Sequence, residues 1–183
     1  RRNFLGYTGA AGLGLLMGGG VMSPAMAIDR VSKIGLGLYT VRDLMAKDTA
    51  GTLNALAGIG YSEVEFAGYH GHSAKEIKTI LDGNGLTSPS AHLSLDAFEN
   101  NFDAALEAAH TVGHNYLILA WLHPDDRTPE RYKKIYSMLN VAGEKARAAG
   151  IQVAYHNHEF EFEGAKGATG YDILLSETDA ALV

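Results

Sequence analysis

The chain predicts an α/β protein built as a (β/α)8 barrel, and three observations carry that expectation. Short apolar runs alternate with helical patterns, the first strand leads into no glycine-rich turn, and polar residues recur where successive strands end. Strands separated by helices imply right-handed βαβ units and a parallel sheet. A doubly wound sheet would place a glycine-rich phosphate turn after its first strand, and Tyr39-Thr40-Val41-Arg42-Asp43 is not one. A barrel instead gathers its chemistry at the carboxyl ends of the strands. Glu65, His92, Trp121-Leu122-His123 and His156-Asn157-His158 all fall at such ends.

The elements follow in order. Residues 33–40 form a strand that turns into a helix over Val41-Arg42-Asp43, which runs to Ala57 and stops at Gly58-Ile59-Gly60. Residues 61–66 are the second strand. Ser73 then reads as an N-cap with Glu76 completing a capping box, and the helix breaks at Asp82-Gly83-Asn84-Gly85. Leu86 to Leu93 is the third strand, followed by a helix from Ala97 to Val112 that Gly113 ends. Residues 115–121 are the fourth strand. Thr128-Pro129-Glu130 opens a long helix, with proline in the first turn, where a missing amide costs nothing. Ile151-Gln152-Val153-Ala154-Tyr155 is the fifth strand, and Gly170 to about Glu177 a further helix. A complete barrel takes about 250 residues. With about five βα units and Ala181-Leu182-Val183 reading as the start of a sixth strand, the sequence is that of a barrel truncated at its carboxyl end.

The first 27 residues carry a different message. Arg1-Arg2 precedes an apolar, glycine-rich run from Gly6 to Val21, and Ala25-Met26-Ala27 offers a small-x-small cleavage site. That order of parts is a twin-arginine export signal, so a periplasmic or otherwise exported protein with no stable membrane anchor is expected. The domain proper then spans 28–183. It lacks cysteine, so any metal must be held by His, Asp, Glu and water. A net charge of -6 offers no basic surface to a phosphate backbone, which speaks against nucleic acid as a partner. Unpaired strand edges would favour association into a homo-oligomer.

Among candidate site residues, the run Tyr155-His156-Asn157-His158-Glu159-Phe160-Glu161-Phe162 is the richest. Period two would aim His156 and His158 to one side and Asn157 to the other. Such a pair reads as metal ligands, as a ligand plus a proton-transfer group, or as hydrogen-bonded histidines closing a barrel mouth. Glu65 lies between apolar Val64 and Phe66, and a carboxylate so placed costs several kcal/mol unless it is paired or functional. Trp121 either stacks on the ring of a ligand or fills the barrel top. His70 and His72 read as loop histidines, and Asp125, Asp126 and Arg127 as a solvated turn.

The stretches Ile34 to Asp43, Gly60-Tyr61-Ser62-Glu63-Val64-Glu65, Ser90-Ala91-His92 and Tyr155 to Phe162 together resemble the sugar phosphate isomerase/epimerase proteins of the xylose isomerase-like barrel superfamily. The superfamily also holds endonuclease IV, inosose dehydratase and ketose 3-epimerases. The resemblance implies a divalent metal ion (Mn, Zn, Co or Mg) at the barrel mouth and a small-molecule sugar substrate. It implies His156 as metal ligand where many relatives place a glutamate, a change that favours softer ions. His158 and Glu65 are then the catalytic candidates, and His92, Trp121 and Asn157 the substrate-binding ones. His123 matches a metal-binding histidine of the nuclease branch or is a plain loop residue. The implied chemistry is metal-assisted proton abstraction next to a carbonyl. The expected activity is sugar isomerase/epimerase, with a lyase or dehydratase resembling inosose dehydratase as the alternative. An abasic-site endonuclease and a non-catalytic sugar-binding barrel are the remaining classes.

Overall fold

The computed structural model describes residues 33–183; the export signal expected over 1–27 lies outside the described residues. Five strands form one parallel sheet in the order in which they occur: β1 (Gly35–Gly37), β2 (Glu63–Phe66), β3 (Thr87–Leu93), β4 (Tyr116–Leu119) and β5 (Gln152–Tyr155). The helices between them are α1 (Arg42–Lys47), α2 (Thr49–Ile59), α3 (Ala74–Gly83), α4 (Leu95–Asn100), α5 (Phe102–Val112), α6 (Pro129–Ala148) and α7 (Gly170–Glu177).

One face of the sheet makes the core. Val64, Phe66, Ala91, Leu117, Leu119 and Val153 are buried on it against Leu53 of α2, Ile77 and Leu81 of α3, Val112 of α5 and Ile135 and Leu139 of α6. Each large side chain so buried contributes about 1.5–3 kcal/mol relative to exposure. The other face carries Glu63 and Glu65 on β2, Tyr116 and Ile118 on β4, and Gln152 and Ala154 on β5, none of them fully buried.

Local signals set the boundaries. Ser73 and Glu76 make the expected capping box of α3, and Gly60 and Gly113 end α2 and α5 in the left-handed conformation that glycine adopts without penalty. Two helices predicted as continuous are divided. Asp48 separates α1 from α2 because its carboxylate accepts the amide of Gly51 at 2.8 Å, starting a new helix. Asn101 separates α4 from α5. The sixth strand expected over 181–183 does not form: these residues turn, with the amides of Leu182 and Val183 on the Asp179 carbonyl, and Leu182 packs over Gly143 of α6.

The pairing of β2 with β3 is irregular. Glu63 pairs with Thr87, but Glu65 pairs with Ser90, so three steps on β3 match two on β2. The extra residue falls beside Pro89, which has no amide to give to a ladder and is tolerated inside a sheet at such bulges. From Ser90 onward the register is regular again, with Ser90 opposite Tyr116 and His92 opposite Ile118.

Candidate functional site

The β2–β3 irregularity builds the centre of the site. It faces Ser90 and His92 toward Glu65, so the Ser90 hydroxyl donates to Oε2 of Glu65 at 2.6 Å and His92 Nε2 stands 3.0 Å from Oε1. The second contact is one of distance alone: the ring N–H is not aimed at the carboxylate, and the buried Nε2 has no hydrogen-bond partner. The His92 contact holds the Glu65 carboxyl below its ordinary range; partial burial opposes this and the Ser90 hydroxyl reinforces it. Glu65 is therefore ionised at neutral pH, ready to accept a proton.

The three imidazoles come together. The His92 and His156 rings lie 5.1 Å apart and those of His156 and His158 4.8 Å apart, both edge to face. His156 and His158 lie just beyond the end of β5, where the His156 amide still donates to the Leu119 carbonyl at 3.0 Å. Burial, followed by the neighbouring His92 and His158, lowers the His156 pKa, against the pull of Glu65 and Glu161; its ring is neutral and has a lone pair to offer. His158 stacks on Phe160 at 5.3 Å, and its Nδ1 is buried without a partner. Asn157 is exposed. Trp121 is 47% exposed and meets the ring of His123 edge to face. His123 pairs with Asp125 on the surface.

Two residues passed over in the sequence shape this site. Glu161, in the short turn Phe160–Phe162, is fully buried. It accepts the Tyr155 hydroxyl and the backbone amide of His158, each at 2.6 Å, and so ties the His-Asn-His turn to the end of β5. Its signal was present: a carboxylate between two apolar side chains, the pattern that singled out Glu65. Arg127, expected in a solvated turn, is half-buried, lies over the Phe160 ring at 3.5 Å and bonds to the Leu122 carbonyl. Nothing local in the sequence marks that contact, because Phe160 lies far along the chain.

Imidazole nitrogens without partners and a nearby carboxylate are donors suited to a transition-metal ion. Among the described residues no three His, Asp or Glu side chains gather as a ligand set, so those present offer part of the three that a catalytic zinc site commonly takes. No step below is routed through a metal.

No family model matches the chain, and no curated protein matches it. Solved structures do. The chain is similar to a sugar phosphate isomerase/epimerase from Parabacteroides distasonis, with 26% identity, a TM-score of 0.70, and coverage of 87% of this chain and 65% of that one. It is also similar to a family 2 AP endonuclease from Brucella melitensis, at 17% identity and TM-score 0.58, covering 68% of this chain and 54% of that one. A xylose isomerase domain containing protein from Salmonella typhimurium follows at 13% identity and TM-score 0.52, covering 68% and 48%. The fold is that of the xylose isomerase-like barrels. The two more distant likenesses concern fold alone, and the chain spans less than two thirds of each of these proteins.

Proposed function

We propose that the chain carries proton-transfer groups of a sugar isomerase/epimerase that acts next to a carbonyl. One observation carries this: an ionised carboxylate, Glu65, held by Ser90 and His92, faces clustered imidazoles where parallel strands end. The likeness to the Parabacteroides protein supports the same reading. Glu65 takes the proton from the carbon beside the carbonyl, and the bonding pair becomes the C=C bond of an enediol. His158 supplies a proton to the carbonyl oxygen. Return of a proton to the other face gives an epimer; return at the neighbouring carbon gives an isomer. His92 and Asn157 hold substrate hydroxyls, and Trp121 lies against the ring. A divalent ion would supply charge stabilisation near the carbonyl oxygen, and His156 is the residue proposed to bind it. Export, the other part of this proposal, fits a free or oxidised sugar better than a cytosolic intermediate.

The test is exchange. Incubated in D2O with ketohexoses, ketopentoses and keto-glycosides, the protein should wash deuterium into the position next to the carbonyl of one of them, and Glu65→Gln should abolish the exchange. Elimination, seen as an absorbing enone, would move the reading to a lyase. Exchange that survives Glu65→Gln would sink the assignment. Elemental analysis decides the metal separately: His156→Ala should lose it and His156→Glu retain it, and full occupancy in His156→Ala would remove this residue from the coordination shell.

A further inference from the structure

Among the described residues, the loop after β4 holds a cation, Arg127, with no carboxylate within ion-pair reach. The acids around it are engaged elsewhere: Asp126 and Glu99 both bind Arg131, at 2.7 and 2.8 Å, and Asp125 faces His123 at 3.3 Å. The Arg127 guanidinium is nonetheless fixed on two sides. Nε and Nη2 donate to the Leu122 carbonyl at 3.0 and 2.9 Å, and the plane lies 3.5 Å from the Phe160 ring centre and 5.2 Å from that of Trp121. Nη1 makes no hydrogen bond among these residues. Arginine held in this way has lost much of its rotamer freedom before any ligand arrives, so an oxyanion meets a preorganised donor edge.

The location ties this edge to the acid–base cluster. Phe160, on which Arg127 lies, stacks against His158, whose other neighbour is His156. Trp121, with its half-exposed ring, lies alongside. An apolar ring face beside a fixed guanidinium is suited to a pyranose or furanose that bears a negative charge: the ring covers the indole and the charge meets Nη1.

We propose that Arg127, framed by Trp121 and Phe160, is the subsite for an anionic substituent of the sugar substrate, a carboxylate or a phosphate monoester. This rests on the sugar-isomerase reading above.

Trp121 is the only tryptophan of the chain, so its emission reports on this loop without a label. The full chain is titrated at low salt with D-glucose, D-glucuronate, D-glucose 6-phosphate and inorganic phosphate. One of the two charged sugars should shift the emission saturably at about a tenfold lower concentration than glucose, as expected for a charge-assisted bond, and salt should erode the difference. Which of the two does so identifies carboxylate or phosphate. Arg127→Met should bring the charged sugar to the level of glucose, with Arg127→Lys falling between. Equal affinity for charged and neutral sugars, a preference that survives Arg127→Met, or inorganic phosphate binding as tightly as the sugar phosphate would each overturn the proposal. If circular dichroism shows Arg127→Met to be misfolded, the decision passes to Arg127→Lys and the salt series: an undiminished preference in Arg127→Lys that salt does not weaken also overturns it. Glucose binding without charge preference defeats this subsite alone; no response to any sugar defeats the sugar-site reading with it.

Discussion

Tyr155→Phe removes a single hydroxyl from beneath the His-Asn-His turn and should cost the fold about 2 kcal/mol. Glu161 is fully buried and, among the described residues, has no cation within ion-pair distance. Its two oxygens each accept one short bond, from the Tyr155 hydroxyl and the His158 amide. Burial, and next the bond to Glu161, push the Tyr155 phenol well above its ordinary range, so the phenol is the donor throughout the working pH. An acceptor left without its donor in the interior costs about 1–3 kcal/mol. The phenylalanine ring still fills the site, so no cavity adds to the loss and the middle of that range applies. Urea unfolding of the full chain, Tyr155→Phe, Glu161→Gln and the double variant gives the coupling between the two side chains, which should lie at about 1–3 kcal/mol. A coupling under about 0.5 kcal/mol would show that Glu161 is satisfied by other means and that the turn does not hang on this clamp.

Three other outcomes are expected. Gly143→Ala would ordinarily favour a helix by about 1 kcal/mol, but a methyl there would stand 2.6 Å from the Leu182 carbonyl oxygen and 2.8 Å from its Cβ, so the melting temperature should fall; a rise would mean that the Leu182 segment yields freely. His114 is buried, its Nδ1 bonded to the Ser88 carbonyl and its Nε2 to the Tyr69 hydroxyl, and burial lowers its pKa below the ordinary 6.5. The folded state thus binds fewer protons than the unfolded one, so this contribution to stability is complete above 6.5 and declines as pH falls below it; urea midpoints in His114→Gln should lose that part of the pH dependence, and an unchanged profile would assign it elsewhere. Finally, replacing Arg1 and Arg2 with lysine should leave unprocessed precursor in the cytoplasm, and undiminished export would reject the twin-arginine assignment.

The strands were legible because buried parallel strands are short apolar runs between breakers, and α3 and α6 because Ser73, Thr128 and Pro129 announce their starts. Asp48 was harder to read: one residue that caps a new helix looks, in sequence, like a polar position within a longer one. Residues 181–183 misled because an apolar run is neutral between strand and turn until its partners are known. At the site, the strand-end rule located Glu65, His92 and the His-Asn-His run, since it depends only on where elements stop. It could not find Arg127, whose neighbours Trp121 and Phe160 come from two different units, nor assign Ser90 its role, which exists only through the register of β2 against β3.

That register bears on how such a site survives insertion and deletion. Counting back from Glu63 opposite Thr87, an unbroken ladder would set Glu65 against Pro89, and the same face would go on through Ala91 and Leu93. Ser90 and His92 would then point into the helix layer, because a shift of one residue exchanges the two faces of a strand. With Pro89 present, the acid–base pair thus depends on the bulge. Deleting Pro89 would remove the need for the bulge: Glu65 would stand opposite Ser90 in a regular ladder, and the imidazole would keep its face. In a lineage of such barrels, one extra codon in the third strand can thus be absorbed by a bulge at the proline, leaving every proposed site residue on the face where it stood.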